Sequence, residues 1–168
     1  TASRQAARES FQQALDILVI NAAQLPQLTS VADIEPIAFG KALTVNVLAT
    51  QALFAAFDKL LRNSADARVI GISSSVGRNP RAYWSAYGAS KAAFEVLLDC
   101  YAQETQNVSE VRVAIVNPGA TRTAMRARAY PGEDPATLKP PEAVAERLIT
   151  LLGEQFASGY RESINPPR

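Results

Sequence analysis

The chain has 168 residues, of which 48% are apolar and 20% are charged, and its formal net charge is +1. This composition is typical of one globular domain, and the balanced charge offers no attraction for nucleic acid or an anionic membrane surface. There is no histidine and only one cysteine, which argues against a metal site, an internal disulfide and a triad that needs histidine. The N-terminus is polar and no apolar run approaches the roughly 18 residues of a membrane span, so we predict a cytoplasmic protein.

Helical and strand-like segments alternate along the chain. Residues 2–15 are rich in helix-forming residues with apolar positions at helical spacing, which predicts a first helix. Further helices are predicted at about 33–62, about 86–106 and, after two prolines, 142–152. Nearly continuous apolar runs, typical of strands buried on both faces of a parallel sheet, alternate with these helices at residues 16–20, 67–75 and 111–119, and residues 158–164 are a candidate for a short last strand. We predict one α/β domain in which helices cover both faces of a parallel sheet.

Small or polar residues end each of the first three predicted strands. These triplets are Asn21–Ala22–Ala23, Ser73–Ser74–Ser75 and Asn117–Pro118–Gly119. Each triplet alone fits an ordinary turn. Ligands of open parallel sheets bind beyond the carboxyl ends of the strands, so three such triplets at corresponding positions favour a binding site at this edge.

Tyr87 and Lys91 lie four residues apart in the predicted helix over 86–106 and would therefore share one face of it. The residues between and after them are small, which permits a close approach by another backbone or a flat ligand. A neighbouring ammonium favours the phenolate and lowers the pKa of a tyrosine from its usual value of about 10. The pair is thus a candidate general acid or base, and an exposed helical pair without function is the alternative.

Two residues that precede this pair in the chain are further candidates for the site. Ser74 ends the strand before this helix, and Asn46 lies in the middle of the first long helix. The segments "DILVINAA", "VNV", "ISSSVG", "YGASK" and "NPGATRT", in this order, resemble the short-chain dehydrogenase/reductase family over residues 2–152. The resemblance implies a Rossmann-like sheet and an oxidoreductase that uses NAD or NADP.

The resemblance also implies roles for individual residues. Tyr87 would exchange a proton with the substrate oxygen, Lys91 would lower the pKa of that tyrosine and bind the nicotinamide ribose, and Ser74 would polarise the carbonyl. Asn46 would anchor a water in a proton relay behind the lysine, and a helix asparagine that bonds a neighbouring backbone is its alternative role. The residues implied to contact the cofactor are Asn21, Ala22, Tyr87, Lys91, Pro118, Gly119, Thr121 and Thr123.

The sequence departs from the family pattern near its start. Ile20 and Ala23 replace the first and last residues of the family's N-N-A-G signature. No glycine-rich T-G-x-x-x-G-x-G turn is present. The position after the second family strand, where an acidic or basic residue selects NAD or NADP, is absent too, so the sequence does not distinguish the two cofactors. Because the first residues resemble the helix before the fourth family strand, we expect the native polypeptide to begin before Thr1. Residues 1–168 are then one partial domain, the catalytic half, with the N-terminal strands absent.

Several neighbouring side chains have more than one interpretation. Tyr83 is expected to line the substrate pocket or to pack, and Trp84 to form a substrate wall or to pack. Cys100 is predicted to be a buried, inert thiol. The proline-rich segment 124–141 fits a mobile lid, in which Arg126 and Arg128 would either meet an anionic substrate or be ordinary exposed charges: the second interpretation is favoured.

The two long helices carry more apolar residues than one sheet-facing side requires, which predicts a homodimer or homotetramer. The functional hypothesis is an oxidoreductase that transfers a hydride between NAD(P) and a small-molecule alcohol or carbonyl, with no metal and no nucleic-acid or membrane partner. The alternative is a noncatalytic dimerising or regulatory protein that retains the family core without nucleotide binding.

Overall fold

Four parallel strands form the sheet of the computed structural model, which describes residues 13–164. The strands lie in the order in which they occur along the chain: β1 (Ile17–Ile20), β2 (Ala67–Ile72), β3 (Val111–Asn117) and β4 (Tyr160–Ser163). Every residue of β2 is buried, including Arg68, as the nearly continuous apolar character of this run predicts. The Rossmann-like α/β architecture is therefore confirmed.

Helices connect the strands as crossovers. They are α1 (Pro36–Leu43), which passes through a π-helical turn (Thr44–Leu48) into α2 (Ala49–Arg62), then α3 (Ser85–Thr105), α4 (Ala124–Ala129) and α5 (Pro141–Gly153). The side chain of Glu35 caps α1 by accepting hydrogen bonds from the N–H groups of Ile37 and Ala38 at 2.8 and 2.5 Å, and Pro36 occupies the first turn. Of the predicted first helix, residues 2–12 lie outside the described residues and residues 13–15 are not helical.

Both faces of the sheet are covered. On one face, residues of α2 and α3 form a core with alternate residues of the first three strands, including the stacked rings of Phe54 and Tyr101, whose centroids are 4.1 Å apart. On the other face, α5 packs through Leu151 on Ile70 and Val116. Gly71 in β2 lies directly beneath the side chain of Leu98, so that α3 approaches the sheet where no Cβ would fit.

Two elements differ from the predicted ones: the second strand is shorter, where serines follow it, and the first long helix is interrupted, where an asparagine lies within it. The second strand ends at Ile72 because Ser75–Gly77 turns into a 3₁₀ helix, and the predicted helix over 33–62 is interrupted by the π-helical turn. The prediction of a buried Cys100 is wrong, because this residue lies on the exposed side of α3. That helix has weak amphipathicity in its sequence, so its outward face could not be assigned from spacing alone.

Several apolar side chains on these helices face outward in the single chain. Leu48 is 60% exposed and Val96 is 59% exposed. By length and composition, the helical stretch Pro36–Arg62 is also apolar enough to cross a membrane. By length and composition, the expectation that no such segment exists is therefore wrong. Residues 42–57 contain no charge, but polar Thr, Asn and Gln side chains interrupt the apolar residues, so a search for unbroken apolar runs does not find this stretch. The absence of a membrane partner stays a prediction.

Candidate active site

A cavity of about 780 Å³ opens at the carboxyl ends of β1, β2 and β3. Its walls include every predicted catalytic and cofactor residue except Asn46: these residues are Asn21, Ala22, Ser74, Tyr87, Lys91, Pro118, Gly119, Thr121 and Thr123. The strand-end triplets thus meet around one space, as the topology of a parallel sheet requires.

Tyr87 and Lys91 project from the first turns of α3 and are almost fully buried, with 7% and 2% of their surface exposed. The ammonium of Lys91 donates a hydrogen bond of 2.8 Å to the backbone oxygen of Ile72, the last residue of β2. Two glycines allow this close packing: a Cβ on Gly77 would lie 3.1 Å from backbone atoms of α3, and one on Gly88 would lie 3.0 Å from a backbone oxygen of the facing turn. The helix that carries both groups is therefore fixed against the end of the middle strand.

Burial dominates the ionisation of both groups. It lowers the pKa of Lys91 to about 8, although the carboxylate of Glu95 opposes part of that shift. It raises the pKa of Tyr87 to about 12. The expected lowering of the Tyr87 pKa is therefore not found, because the ammonium of Lys91 is directed at the Ile72 carbonyl and lies 5.9 Å from the centroid of the phenol ring.

Ser74 lies between β2 and the following 3₁₀ turn, and its backbone is extended. Side chains alternate in direction along extended backbone, so Ser73 points away from the side that Ser74 faces. Ser73 donates a hydrogen bond of 2.5 Å to the buried carboxylate of Glu95, one turn beyond Lys91 in α3. That carboxylate also accepts from Arg78 at 2.7 Å and from Arg161 at 2.6 Å. The network ties the serine loop to α3 and β4.

The importance of Glu95 was missed by sequence reasoning. Its position four residues after Lys91 was the available signal, since both side chains must share one helix face. Burial by itself raises the pKa of this carboxyl, but hydrogen bonds from Ser73, Arg78 and Arg161 outweigh burial and hold the pKa below its usual value. The side chain is thus a charged anchor behind the wall of the cavity, since Glu95 does not line the cavity itself.

Asn46 lies outside the cavity wall, in the π-helical turn, and is 1% exposed. Its amide bridges two elements: the oxygen accepts the backbone N–H of Gln24 at 2.7 Å, and the nitrogen donates to the Gln24 carbonyl at 2.9 Å and to Ser90 at 2.8 Å. Ser90 in turn donates to the backbone oxygen of Tyr87 at 2.7 Å. Asn46 therefore fixes the loop after β1 to the helix of the tyrosine, across a long sequence separation.

The segment after β3 forms the opposite wall. The side-chain oxygen of Asn117 accepts the N–H of Gly119 at 3.0 Å, and Gly119 has a φ of 68°, which favours glycine. Thr121 is held over this turn by hydrogen bonds of 3.3 Å to the carbonyls of Pro118 and Gly119. Thr123 caps α4 by accepting the N–H of Arg126 at 3.1 Å. Both threonines line the cavity, and their hydroxyls stabilise the segment after β3.

Two neighbouring aromatic residues lie differently with respect to the cavity. Trp84 lines the cavity and meets the ring of Tyr87 edge to face, at a centroid distance of 6.1 Å. By contrast, Tyr83 is 65% exposed with a φ of 71°, and it does not line this cavity.

Residues 124–139 form a cap over the cavity. Arg126 of this cap lines the cavity but is paired with Glu133, and Arg128 donates to the Leu25 carbonyl at 2.6 Å. The segment predicted to be a mobile lid thus contains a short helix and lies over the cavity, and its mobility stays a prediction.

Within residues 13–164, no cluster of three or more Cys, Asp or Glu side chains is arranged to hold a metal ion. What the site offers instead is a phenol, a buried ammonium and hydroxyl groups around one space. Such an arrangement can stabilise a developing negative charge on a substrate oxygen and supply a proton to it.

Comparisons with known proteins agree with this arrangement. The uncharacterized oxidoreductase YciK of Escherichia coli K12 is 41% identical over 140 residues, which cover 83% of this chain and 55% of that protein. The solved YciK structure superposes with a TM-score of 0.85 and 35% identity, covering 98% of this chain and 67% of that one. A protein from Escherichia coli CFT073, solved with NADPH, gives a TM-score of 0.85 and 36% identity, with 98% and 68% covered.

The chain spans about half the length of the curated relatives it matches. The family model described as short chain dehydrogenase matches residues 1–134, which include the strand-end triplets, Asn46 and the tyrosine and lysine of α3. The chain belongs to the short-chain dehydrogenase family.

Proposed function

We propose that this protein is an NAD(P)-dependent oxidoreductase that interconverts an alcohol and a carbonyl compound, with Tyr87 as the proton donor and acceptor. One observation carries the proposal: Ser74, Tyr87 and Lys91 line a single cavity at the carboxyl edge of the sheet. Membership of the family and the fold shared with a protein solved with NADPH support it.

The residues present fit the nicotinamide half of the cofactor. The small residues after β1 and the glycine turn after β3 let a flat ring approach the backbone on two sides, and the buried ammonium of Lys91 and the hydroxyl of Thr123 offer hydrogen-bond donors. When bound, the cofactor supplies or accepts a hydride at the substrate carbon. We propose that it is held by Asn21, Ala22, Tyr87, Lys91, Pro118, Gly119, Thr121 and Thr123.

The ionisation of the site fits carbonyl reduction at neutral pH. With a pKa of about 12, the Tyr87 phenol is protonated and can donate to the substrate oxygen as negative charge develops there. Ser74 donates a second hydrogen bond to the same oxygen. Lys91, with a pKa of about 8, is mostly cationic at pH 7, and its ammonium can donate a hydrogen bond to the ribose of the cofactor.

Asn46 acts behind these residues in our proposal. It bridges Gln24 to Ser90, whose hydroxyl reaches the backbone of Tyr87, and its π-helical turn breaks the regular helical hydrogen-bond pattern. Such a turn can offer a backbone carbonyl to a water behind the lysine. We retain a proton relay through that position as part of the proposed mechanism.

The proposed assembly is a homodimer or homotetramer through the exposed apolar side chains of the long helices, among them Leu48 and Val96. Since the chain spans 55% of YciK, we also propose that residues 1–168 are the catalytic half of a larger Rossmann-type domain. A small-molecule alcohol or carbonyl substrate and a cytoplasmic location complete the proposal.

Replacement of Tyr87 by Phe tests the central step. We expect loss of carbonyl reduction by a factor of at least about 100, because the proton donor is gone, with NADPH affinity unchanged within a few-fold. Turnover is followed by NADPH absorbance and affinity by NADPH fluorescence. Tyr83→Phe is the matched control, since that phenol is exposed and lies outside the cavity.

Two results would contradict the proposal. Turnover by Tyr87→Phe at the rate of the unmodified protein would remove the phenol from the mechanism. If the full chain binds neither NADPH nor NADH in the same titration, the noncatalytic dimerising or regulatory role becomes the better account.

A further inference from the structure

One end of the cavity, around the phenol of Tyr87, is built almost entirely of apolar and aromatic side chains. Leu25, Trp84, Met125 and Ala129 line it and pack as one cluster with Tyr87. Apolar walls with few polar groups favour ligands whose own surface is apolar. The indole of Trp84 also meets the ring of Tyr87 edge to face, with the two centroids 6.1 Å apart.

Only two charged side chains, Lys91 and Arg126, line this cavity among the residues that the structure describes. Lys91 directs its ammonium to the Ile72 carbonyl. The guanidinium of Arg126 donates two parallel hydrogen bonds of 2.6 Å to the carboxylate of Glu133, and these bonds raise its pKa above the usual value. A carboxylate on a ligand would therefore have to displace Glu133 from a bidentate pair to use this cation.

The Arg126–Glu133 pair is itself held in place by the cap. Arg126 lies 3.8 Å above the ring of Tyr130, which packs on Trp84 at a centroid distance of 5.7 Å. Arg81 donates a hydrogen bond of 3.0 Å to the hydroxyl of Tyr130. Glu133 contacts the guanidinium but is not part of the cavity wall within the described residues. Glu133 thus neutralises Arg126 from outside the cavity wall, and the side chains that would face the substrate are apolar.

We propose that the substrate is an uncharged compound with an apolar ring next to its carbonyl, and that Glu133 excludes carboxylated substrates by occupying Arg126. The inference rests on the proposed function, which makes the Tyr87 end of the cavity the substrate end. Glu133 is a specificity-determining residue in this account, since it acts through Arg126 and does not touch the reacting atoms.

A pair of probes that differ by one carboxylate tests the proposal. Acetophenone and 4-acetylbenzoate are titrated into the full chain at pH 7 without cofactor, and binding is followed by the fluorescence of Trp84, the only tryptophan of the 168 residues. We expect acetophenone to bind at least about tenfold more tightly, because the carboxylate must be desolvated without a free cationic partner.

Glu133→Gln should then raise the affinity for 4-acetylbenzoate by about tenfold and leave acetophenone binding unchanged, since a freed guanidinium can pair with the ligand carboxylate. Glu154→Gln is the matched control, because Glu154 makes a similar bidentate pair with Arg147, at 2.7 and 3.0 Å, away from the cavity. Arg126→Met removes the cation altogether and should keep acetophenone binding without gaining affinity for the carboxylate.

Three outcomes would overturn the proposal: equal or tighter binding of 4-acetylbenzoate by the unmodified protein, the same response from Glu133→Gln and Glu154→Gln, or no fluorescence change with either probe. Failure of the proposed function looks different. The probe preference would hold in these cofactor-free titrations, while Tyr87→Phe would turn over as fast as the unmodified protein.

Discussion

The two walls of the cavity are held by different kinds of interaction. The inner wall, where β2 meets α3, is fixed by the buried side chains of Lys91 and Glu95, and by glycines that bring backbones together. The outer wall, formed by the cap over residues 124–139, is held by the ion pair of Arg126 and Glu133, whose side chains are 25% and 27% exposed. Buried charges cost much when a partner is lost, whereas solvent screens exposed ones. The comparison indicates that the residues of the proposed chemistry lie on the inner wall, where substitutions cost more stability. The residues proposed to select the substrate lie on the outer wall, where substitutions cost less.

The largest expected effect comes from breaking the inner wall at its anchor. Glu95→Ala leaves Arg161, Arg78 and Ser73 without their shared acceptor, so we expect the free energy of unfolding to fall by about 3 kcal/mol. Urea denaturation followed by circular dichroism measures the change. A loss no larger than that of an exposed ion pair would show that the inner wall does not depend on this carboxylate.

A smaller effect is expected from the protonation of Lys91. Its folded pKa of about 8 lies below its unfolded value of about 10.4, so the unfolded chain binds more protons between these two values. Stability therefore rises with pH in this window. From pH 8 to pH 9.5 the unmodified protein should gain up to about 2 kcal/mol relative to Lys91→Met, which has no ammonium to titrate.

Urea midpoints of the two proteins, compared pH by pH, measure this difference and cancel the titration of all other groups. The window ends near the unfolded pKa of lysine, about 10.4, where the unfolded chain also loses this proton. Above pH 10 both proteins lose stability through Tyr87, because its folded pKa is raised to about 12 and the unfolded phenol ionises first. A difference between the proteins that stays constant across the window would contradict the burial of the charged lysine.

The smallest expected effect belongs to the outer wall. Glu133→Gln should leave the melting temperature within about 2 °C of the unmodified protein, since this pair is open to solvent. Calorimetry measures the shift, and Glu95→Gln is the matched change in the inner wall. If Glu133→Gln destabilises as much as Glu95→Gln, the two walls do not differ in the way described above.

The sheet and the long crossover helices were predictable because buried parallel strands require continuous apolar runs. The runs that became β1, β2 and β3 end at polar triplets, and these triplets meet at the cavity. Position along the chain was therefore enough to bring the site residues to one edge of the sheet, with Asn46 as the residue that lies behind it.

What the sequence did not predict depends on distances between elements. The contacts of Arg161 with Glu95 and of Asn46 with Gln24 join residues far apart in the chain, which spacing cannot show. The direction of the Tyr87 pKa shift was wrong because four-residue spacing gives a shared helix face but neither the depth of burial nor the direction of the ammonium. Cys100 was misplaced for a related reason, since α3 is apolar on more than one side.

The π-helical turn at Thr44–Leu48 has a consequence for how the sequence can change. Such a turn holds one residue more than a regular α-helix would, so deletion of a single residue there would leave a continuous helix. Later positions would keep their direction, because the deletion would remove only the extra residue. A deletion in α2 before Phe54 would instead rotate the later positions by about 100° about the helix axis and turn Phe54 away from Tyr101. Loss of a residue should therefore be less damaging within the π-helical turn than within α2.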